Sequence, residues 1–416
     1  MMNLKLLSRL QASDSVNLIL TAEAGDILNY YLISRSVAYE IVCTGKTVGT
    51  IPSGMISFDI RMASVIPLIE KGFKFRVEYT GNELRFVTED ERTYIVPSYV
   101  ESNDSNAERV ITKYMRFSEA LIDQDRVSHQ IEMVQDELQE LKNRHSELTL
   151  MQLSGGPSEN PFGPAPTEGI DKKYKPLIAE KEEQLNALLK SSAGIQELDL
   201  SPFMNIANAA ARGHNLVDLC GDYAVLSLKT SFMLQKANCP IQSIQGQLFH
   251  QLLRDGNGKG FYLFDDELIY LNGDKERTVV FVAKYLPNND VDSSIVTRGA
   301  VEEKYSIQLK GVLGITSIVK SHFPNFTMDM GNGHFVLSND LGERVTMKFE
   351  IADSKTVAMA KMMRGENVQG GITMATIDVP SDVQAYLSLF KDELTVYVKR
   401  KKIIFQNKGL YIVFGR

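Results

Sequence analysis

Several residue types and patterns are scarce in this 416-residue chain. It has no tryptophan and three cysteines. Cys43, Cys220 and Cys239 are odd in number and lack metal-ligand spacing, so we expect buried small apolar side chains rather than a disulfide framework. No apolar run approaches the roughly 20 residues that a membrane-crossing helix needs. Redox, structural-metal and membrane-spanning roles are therefore not expected.

Catalytic patterns are scarce as well. None of the six histidines has metal-ligand spacing or accompanies a Ser or Cys nucleophile motif: they are His129, His145, His214, His250, His322 and His334. Residues 255–260 are Gly-rich but lack the Gly-Lys-Ser/Thr ending of a phosphate loop. Asp265, Asp266 and Glu267 fall where a hairpin must turn, which favours a turn over a divalent-cation site. We therefore expect no enzymatic activity, no cofactor and no metal.

The charge balance is slightly acidic. The formal net charge is −7, with 45 Lys and Arg against 52 Asp and Glu. Proteins that coat nucleic acid over their whole surface are usually basic, so at most a local basic face is expected. The N-terminus lacks the basic stretch, apolar stretch and cleavage site of a signal peptide. We expect a location in the cytoplasm of a bacterium or of a host cell.

A short apolar helix followed by strands with tight turns recurs about six times along the chain. Such repetition fixes the architecture before any residue is given a role. The four clear copies place helices at residues 62–70, 244–253, 309–320 and 379–390, each followed by strands. Fainter copies lie at residues 4–42 and 202–234.

A segment of different character, residues 104–194, interrupts the repeats. Its apolar residues alternate at spacings of four and three, which is typical of a coiled coil: Val127, Ile131, Val134, Leu138, Leu141 and Leu148, with His145 in the seam. Residues 154–167 are rich in Pro and Gly, and helical spacing resumes at Leu177, Ile178, Leu185 and Leu188. The segment predicts an antiparallel helical hairpin, either a solvated spacer or an arm that docks a partner.

Without the insertion, three units of a common domain size remain, each with two repeats. We expect domains at residues 1–103, 195–297 and 298–416, with the insertion at 104–194. The fold class is α+β, with helices on one face of antiparallel sheets. Edge strands at both ends of such a molecule need partners, and ring closure by self-association supplies them.

The chain resembles the DNA sliding clamps, in particular the three-domain bacterial beta clamp. Residues 17–20 followed by Ala24-Gly25-Asp26 resemble the first hairpin of that clamp. Residues 198–202 with the following helix to Arg212 resemble the opening of its middle domain, and residues 409–416 resemble its last strand and tail. The divergent repeats and the large insertion suggest a distant member, of bacteriophage origin.

The resemblance implies a head-to-tail ring of two subunits, with helices lining the hole and sheets forming the rim. Such a ring encircles double-stranded DNA without sequence preference and tethers a DNA polymerase for processive synthesis. It is a non-enzymatic processivity factor, and an ATP-driven clamp loader opens it. Partners are bound through short peptide motifs.

Helices that face DNA are expected to carry cations, because phosphate neutralisation supplies sequence-independent binding. The repeats place Lys and Arg in or beside all six helices. The candidates are Lys5, Arg9, Arg61, Lys71, Arg212, Arg254, Lys259, Lys310, Lys320 and Lys391. For any one of them, an ordinary exposed cation is the competing interpretation.

The resemblance also implies a partner-peptide pocket on the outer face between the middle and last domains. Apolar anchors of a linear motif would fill it. By position it would use Leu216, Leu228, Phe232, Leu234, Pro287, Val291, Ile412 and Phe414. Interior packing is the competing interpretation for the aliphatic residues.

Three alternatives stay open at this point. The same repeats could build a viral structural or assembly ring that does not use DNA. A two-domain type of clamp would close as a trimer, if the faint repeats are misread. A clamp-like protein could also recruit RNA polymerase as a transcription co-activator.

Overall fold

The structure is a computed structural model of the 416-residue chain. It describes residues 15–23, 25–51, 54–61, 75–80, 83–88, 90–96, 99–101, 105–154, 168–191, 194–213, 215–273, 277–287, 294–308, 322–356, 375–390 and 393–416. The predicted helices at 62–70 and 309–320, and the helix of the first faint repeat, lie outside these residues.

Six triplets of consecutive antiparallel strands repeat along the chain. The triplets are β1 Ser15–Ala22, β2 Ile27–Arg35 and β3 Tyr39–Val48; β5 Phe75–Tyr79, β6 Leu84–Thr88 and β7 Thr93–Ile95; β10 Leu216–Cys220, β11 Tyr223–Ser227 and β12 Ser231–Lys236; β14 Phe261–Phe264, β15 Glu267–Asn272 and β16 Thr278–Val282; β18 Asn325–Asp329, β19 His334–Ser338 and β20 Arg344–Lys348; β23 Glu393–Lys399, β24 Lys402–Asn407 and β25 Leu410–Gly415. The sixfold repetition predicted from the sequence is therefore present in the strands.

The other strands connect the triplets or extend them. They are β4 Met55–Arg61, β8 Tyr99–Glu101, β9 Ile195–Leu198, β13 Ile241–Gln245, β17 Val301–Gln308, β21 Glu350–Thr356 and β22 Thr376–Val379. The α-helices of the described residues are α1 Ser105–Ser154, α2 Glu168–Ser191, α3 Met204–Gly213, α4 Gly246–Gly256, α5 Ser294–Thr297 and α6 Ser381–Gln384. Together they give the α+β class that the sequence predicts.

One predicted helix has a different form in the structure. The sequence predicts a single helix over residues 379–390, but Val379 ends β22 and Pro380 precedes α6. The helix ends at Gln384, and residues 387–390 form a 3-10 turn. Bonds between residues three apart, Tyr386 N to Val383 O and Leu389 N to Tyr386 O, replace the α-helical pattern.

Within the described residues, the strands form two nine-stranded sheets and two small ones. The first large sheet has the order β8-β4-β1-β2-β3-β16-β15-β14-β9, and the second has the order β13-β10-β11-β12-β25-β24-β23-β17-β21. The small sheets are β20-β19-β18-β22 and β5-β6-β7. Each large sheet therefore runs from one predicted domain into the next.

Two antiparallel pairings join the predicted domains. The first seam is the pairing of β3 with β16, where Val42 lies opposite Val279. The second seam is the pairing of β12 with β25, where Phe232 lies opposite Val413. In both cases the third strand of one domain's first triplet meets the third strand of the next domain's second triplet.

Both faces of the large sheets are apolar at the seams. The inner face packs on α3, α4 and the main core, whereas the outer face looks away from these helices. In β25, Leu410, Ile412 and Phe414 lie on the inner face, while Tyr411 and Val413 lie on the outer face. Since side chains alternate along a strand, one register assigns every residue to a face.

The outer face at the first seam is covered by the beginning of α1, residues 105–121, which we call the strap. Its buried side chains fall three, four and seven residues apart, as on one face of a helix: Ala107, Val110, Ile111, Phe117 and Leu121. They pack with residues from both sides of the seam, among them Ile33, Val42, Ile269, Val279 and Phe281.

Ion pairs accompany this apolar contact. Lys113 Nζ lies 3.6 Å from Glu40 Oε2 on β3 and 2.6 Å from Glu267 Oε2 on β15, so one cation spans the seam. Arg116 pairs with Asp265 at 2.7 Å. The Arg116–Asp265 pair is exposed and contributes little free energy, whereas Lys113 and Glu40 are partly buried. The apolar face therefore supplies most of the contact that holds the strap, and the ion pairs fix its register.

The rest of α1 and the antiparallel α2 form the arm, residues 122–154 and 168–191. Most of the predicted coiled-coil positions lie on the less exposed side of α1: Val127, Ile131, Val134, Leu138, Leu141 and His145. Leu148 and Leu177 are exposed. Cross-helix pairs include Lys142 with Glu182 at 2.7 Å and His145 with Asp171 at 2.8 Å. The segment beginning at residue 104 is thus a docked strap followed by a projecting hairpin, a division that the sequence pattern does not predict.

Candidate DNA-facing helices and outer groove

Helices α3 and α4 cross in close contact in the middle of the chain. Gly246, the first residue of α4, lies against Ala210, and a Cβ on Gly246 would be 2.5 Å from Ala210 Cβ. Gly246 N also donates to Asn215 O at 2.9 Å. The small residues let the two backbones approach, which places their free sides next to each other.

The side of α4 that faces away from the core is polar. Leu248, Phe249, Leu252 and Leu253 are buried against the sheets. Gln247 and Arg254 are exposed, and His250 lies between them with partial exposure. A spacing of three and four residues puts these polar side chains on one stripe of the helix.

Two arginines lie near His250. Burial lowers the pKa of His250, and the positive charges of Arg254 and Arg212 lower it further. Arg212 is exposed in the last turn of α3, and it also lowers the pKa of Tyr386 against the raising effect of burial. The free ends of α3 and α4 therefore form one positively charged patch.

The end of α4 is fixed by a cap and by a carboxylate. Asn257 adopts a left-handed conformation with φ 49°, and Gly258 N donates to Leu253 O at 2.9 Å. Asp255 accepts hydrogen bonds from Tyr270 Oη at 2.8 Å and Asn272 Nδ2 at 2.7 Å. The Gly-rich stretch at 255–260 thus contains the end of α4 and the loop that follows it.

The structure places four of the ten predicted DNA-contacting cations. Arg212 and Arg254 share the patch described above. Lys259 is exposed just beyond α4. Hydrogen bonds from Ser201 lower the pKa of Asp199, and the charge of Lys259 lowers it further. Arg61 is exposed at the end of β4. The other six lie outside the described residues: Lys5, Arg9, Lys71, Lys310, Lys320 and Lys391.

The outer face at the second seam carries a separate apolar cluster, which we call the outer groove. Its buried floor is formed by four residues from both sides of the seam: Val225, Leu234, Ile404 and Val413. Cys220, Tyr223, Phe232, Tyr397 and Tyr411 flank the floor, and Ile295 and Val296 of α5 pack against it.

Two of the eight predicted pocket residues, Phe232 and Leu234, belong to the outer groove. Ile412 and Phe414 do not belong to it. Both lie on the inner face, with Phe414 against the ring of Phe405 at 5.0 Å. Alternation along β25 assigns the outer face to Val413 instead.

The remaining pocket candidates are scattered. Leu228 packs against the inner core. Leu216 is exposed at the start of β10, and Pro287 is half-buried beside the exposed Leu286. Val291 lies outside the described residues.

Sequence reasoning missed most of the groove. The signal for Val413 and Ile404 is their alternation with core residues, but every neighbour in 403–405 and 410–414 is also apolar. The packing of α5 on the groove follows from the seam pairing, which no local pattern encodes.

Metal-binding and membrane-crossing features are absent from the part of the chain that the structure describes. It holds no group of three His, Cys, Asp or Glu side chains arranged to bind a metal ion. None of its helices is long and apolar enough to cross a membrane. Asp265 and Asp266 have φ of 50° and 60°, as in a tight hairpin turn, and Asp265 pairs with the strap.

Solved structures with the same arrangement exist. A DNA polymerase III beta subunit from Eubacterium rectale matches with a TM-score of 0.54 and 7% identity, over 97% of this chain and 90% of that one. The beta subunit from Pseudomonas aeruginosa matches with a TM-score of 0.53 and 8% identity, over 99% and 96%. The Helicobacter pylori beta clamp bound to a DNA ligase peptide matches with 0.52 and 7%, over 99% and 96%.

This chain has the sliding-clamp fold. The match covers almost its whole length at an identity of 7–8%. No protein-family model matches the sequence. No curated protein matches it either. The clamp fold thus persists here with very little sequence identity to these structures, as the sequence resemblance leads us to expect.

Proposed function

We propose that this protein is a DNA sliding clamp, a non-enzymatic ring that encircles duplex DNA and tethers a DNA polymerase. The observation that carries the proposal is the clamp fold over 97–99% of the chain. A closed ring is held on DNA by topology, so weak phosphate contacts suffice. The polymerase is retained through effective concentration.

The seams suggest how the ring closes. In both intrachain seams, the third strand of a first triplet pairs with the third strand of the next second triplet. By the same rule, β20 of one copy pairs with β7 of another. Within the described residues, β20 has β19 as its only neighbour and β7 has β6, so each presents an open edge.

The two edges have complementary chemistry. Arg344 and Lys348 are exposed on β20, while Asp90 and Glu91 are exposed in the turn before β7, where Asp90 also pairs with Arg92 at 2.9 Å. Ile95 on β7 is 53% exposed, an apolar residue that pairing would cover. Head-to-tail pairing at both ends of two copies gives a closed ring of six domains.

Charge reversal tests this closure. Arg344→Glu with Lys348→Glu is expected to shift the mass in sedimentation from two chains to one, because like charges then face each other. Adding Asp90→Lys with Glu91→Lys is expected to restore the double mass. The matched control is Arg400→Glu with Lys401→Glu, two exposed cations in the β23–β24 turn. Unchanged mass in the first variant would exclude β20 from the closure.

The patch on α3 and α4 is proposed to contact DNA phosphates. Arg212→Ala with Arg254→Ala is expected to weaken duplex binding for every sequence and to reduce the log–log salt slope by roughly 0.9 for each phosphate that is no longer neutralised. Arg126→Ala with Arg144→Ala is the control, since both arginines are exposed and lie on the arm rather than on α3 or α4. Equal slopes in the two variants would remove the patch from the DNA site.

The proposed partners are a DNA polymerase and a clamp-loading ATPase, in a cytoplasmic setting. Primer extension on long single-stranded templates tests the polymerase partnership directly: product length is expected to rise when the loaded ring is present. A ring that leaves product length unchanged would favour an assembly role. A ring that stimulates RNA polymerase alone would favour a transcription role.

A further inference from the structure

The outer groove is filled by the chain itself. Ile295 and Val296 of α5 lie on its apolar floor, and Leu234, Val225 and Ile404 beneath are almost completely buried. α5 has four residues, too short to be stable on its own. Its position therefore depends on what the groove and its rim provide.

Two lysines on the rim hold α5 by its carbonyl oxygens. Lys399 Nζ donates to Val296 O at 2.9 Å, Thr297 O at 3.1 Å and Arg298 O at 3.1 Å. Lys402 Nζ donates to Ile295 O. Lys399 is 5% exposed, and its side chain passes Gly299, where the chain leaves α5 with φ 89°.

These lysines have neutral acceptors where an anion would bind better. No carboxylate among the described residues forms an ion pair with either of them, and the charges that act on them are those of neighbouring cations. Burial lowers the pKa of Lys399, and the nearby Lys402 lowers it further. Hydrogen bonds from a cation to a carboxylate are shorter and roughly twice as strong as those between neutral groups.

We propose that α5 occupies a site for the C-terminal end of a partner protein: two apolar residues followed by the chain-terminal carboxylate. The apolar pair replaces Ile295 and Val296, and the carboxylate takes the place of the α5 carbonyls at Lys399 and Lys402. A main-chain carboxylate fits because the lysines already bind main-chain oxygens at one spot.

α5 has an advantage over a partner segment in the competition for the groove. It is tethered, so its effective concentration at the groove is high. The carboxylate supplies the compensating attraction, which makes the groove selective for chain ends over internal segments. The inference rests on the proposed function, in which the clamp holds partners through short segments.

The test uses three fluorescent peptides that share the sequence of residues 291–296, two of six residues and one of seven. One ends in a free carboxylate, one in a carboxamide, and one in a carboxamide after an added Asp. They are titrated into the full chain and into the variant Ile295→Ala with Val296→Ala, which weakens the packing of α5 on the outer groove. The free-carboxylate peptide is expected to bind the variant about ten-fold tighter than it binds the unmodified chain.

The same peptide is expected to bind the variant about ten-fold tighter than the plain carboxamide does. Lys399→Met in the variant background is expected to remove that preference. Equal binding of the carboxylate and carboxamide forms, or no gain in the variant, overturns the proposal. Equal binding of the Asp peptide would assign the site to internal acidic residues and overturn the chain-end assignment.

A second measurement covers the case of a variant that does not fold. In the unmodified chain, hydrogen exchange of residues 294–298 is expected to accelerate when the carboxylate peptide is present in excess, and unchanged exchange contradicts displacement. Measuring how long the same samples stay on circular DNA separates the proposed peptide site from the proposed clamp function. Retention without peptide binding overturns the site alone, whereas peptide binding without retention overturns the clamp function alone.

Discussion

Phe117→Ala is expected to release the strap from the first seam. Phe117 is 1% exposed, and its ring lies 5.8 Å from Tyr262, 5.9 Å from Phe264 and 6.4 Å from Phe281. Truncating a buried Phe to Ala costs about 3–5 kcal/mol. Because the strap packs on one side only, the lower end of about 3 kcal/mol applies.

Hydrogen exchange measures that cost locally. Opening of the strap exposes the amides of residues 110–121, so about 3 kcal/mol corresponds to exchange roughly a hundred-fold faster. Ile122→Ala is the matched control, five residues further along the same helix and 58% exposed. It changes helix propensity in the same direction and is expected to alter exchange by less than about three-fold.

The result that would refute the reasoning is equal exchange in the two variants. It would mean that the ion pairs of Lys113 and Arg116, rather than the apolar face, hold the strap in place. Removing Lys113 would then give the larger effect.

Two further predictions concern packing and pH. Gly246→Ala is expected to destabilise the chain by about 1–3 kcal/mol in urea unfolding, because the new methyl group meets Ala210, whereas Gly54→Ala has open space and is expected to be nearly neutral. Asp382 joins the second seam by accepting hydrogen bonds from Thr230 and Ser231. Burial raises its pKa, but these hydrogen bonds outweigh burial and lower it. Its contribution is therefore present above the ordinary carboxyl pKa and lost as pH falls through the lowered value, so Asp382→Asn is expected to destabilise at pH 7 and to have a smaller effect near pH 3. A constant difference across pH would contradict this.

Local chemistry explains what can be predicted from the sequence. The hairpin at Asp265 and Asp266 follows from two residues that tolerate positive φ between alternating strands. The sequence predicts a helix at residues 244–253, and α4 begins two residues later at Gly246, because Leu248, Phe249, Leu252 and Leu253 supply the helical apolar spacing. Repetition then extends these local signals into six copies.

Long-range packing explains what cannot be predicted. In β25, both alternating sets of side chains are apolar, so the sequence cannot say whether Ile412 or Val413 faces outward. The strap shows the same limit: its apolar spacing predicts a helix, but the surface it covers exists only after β3 pairs with β16. Seam pairing is the information that a local pattern lacks.

α1 is one helix of 50 residues, about 75 Å long at about 1.5 Å per residue. Roughly its first third is fastened across the first seam, and the rest projects with no break in the helix. It therefore works as a lever without a joint. A force applied at the tip of the arm acts on the β3–β16 pairing with a mechanical advantage of about two, the ratio of the two lengths. A molecule that contacts the far end of the arm transmits force to the first seam from a distance, without contacting either sheet.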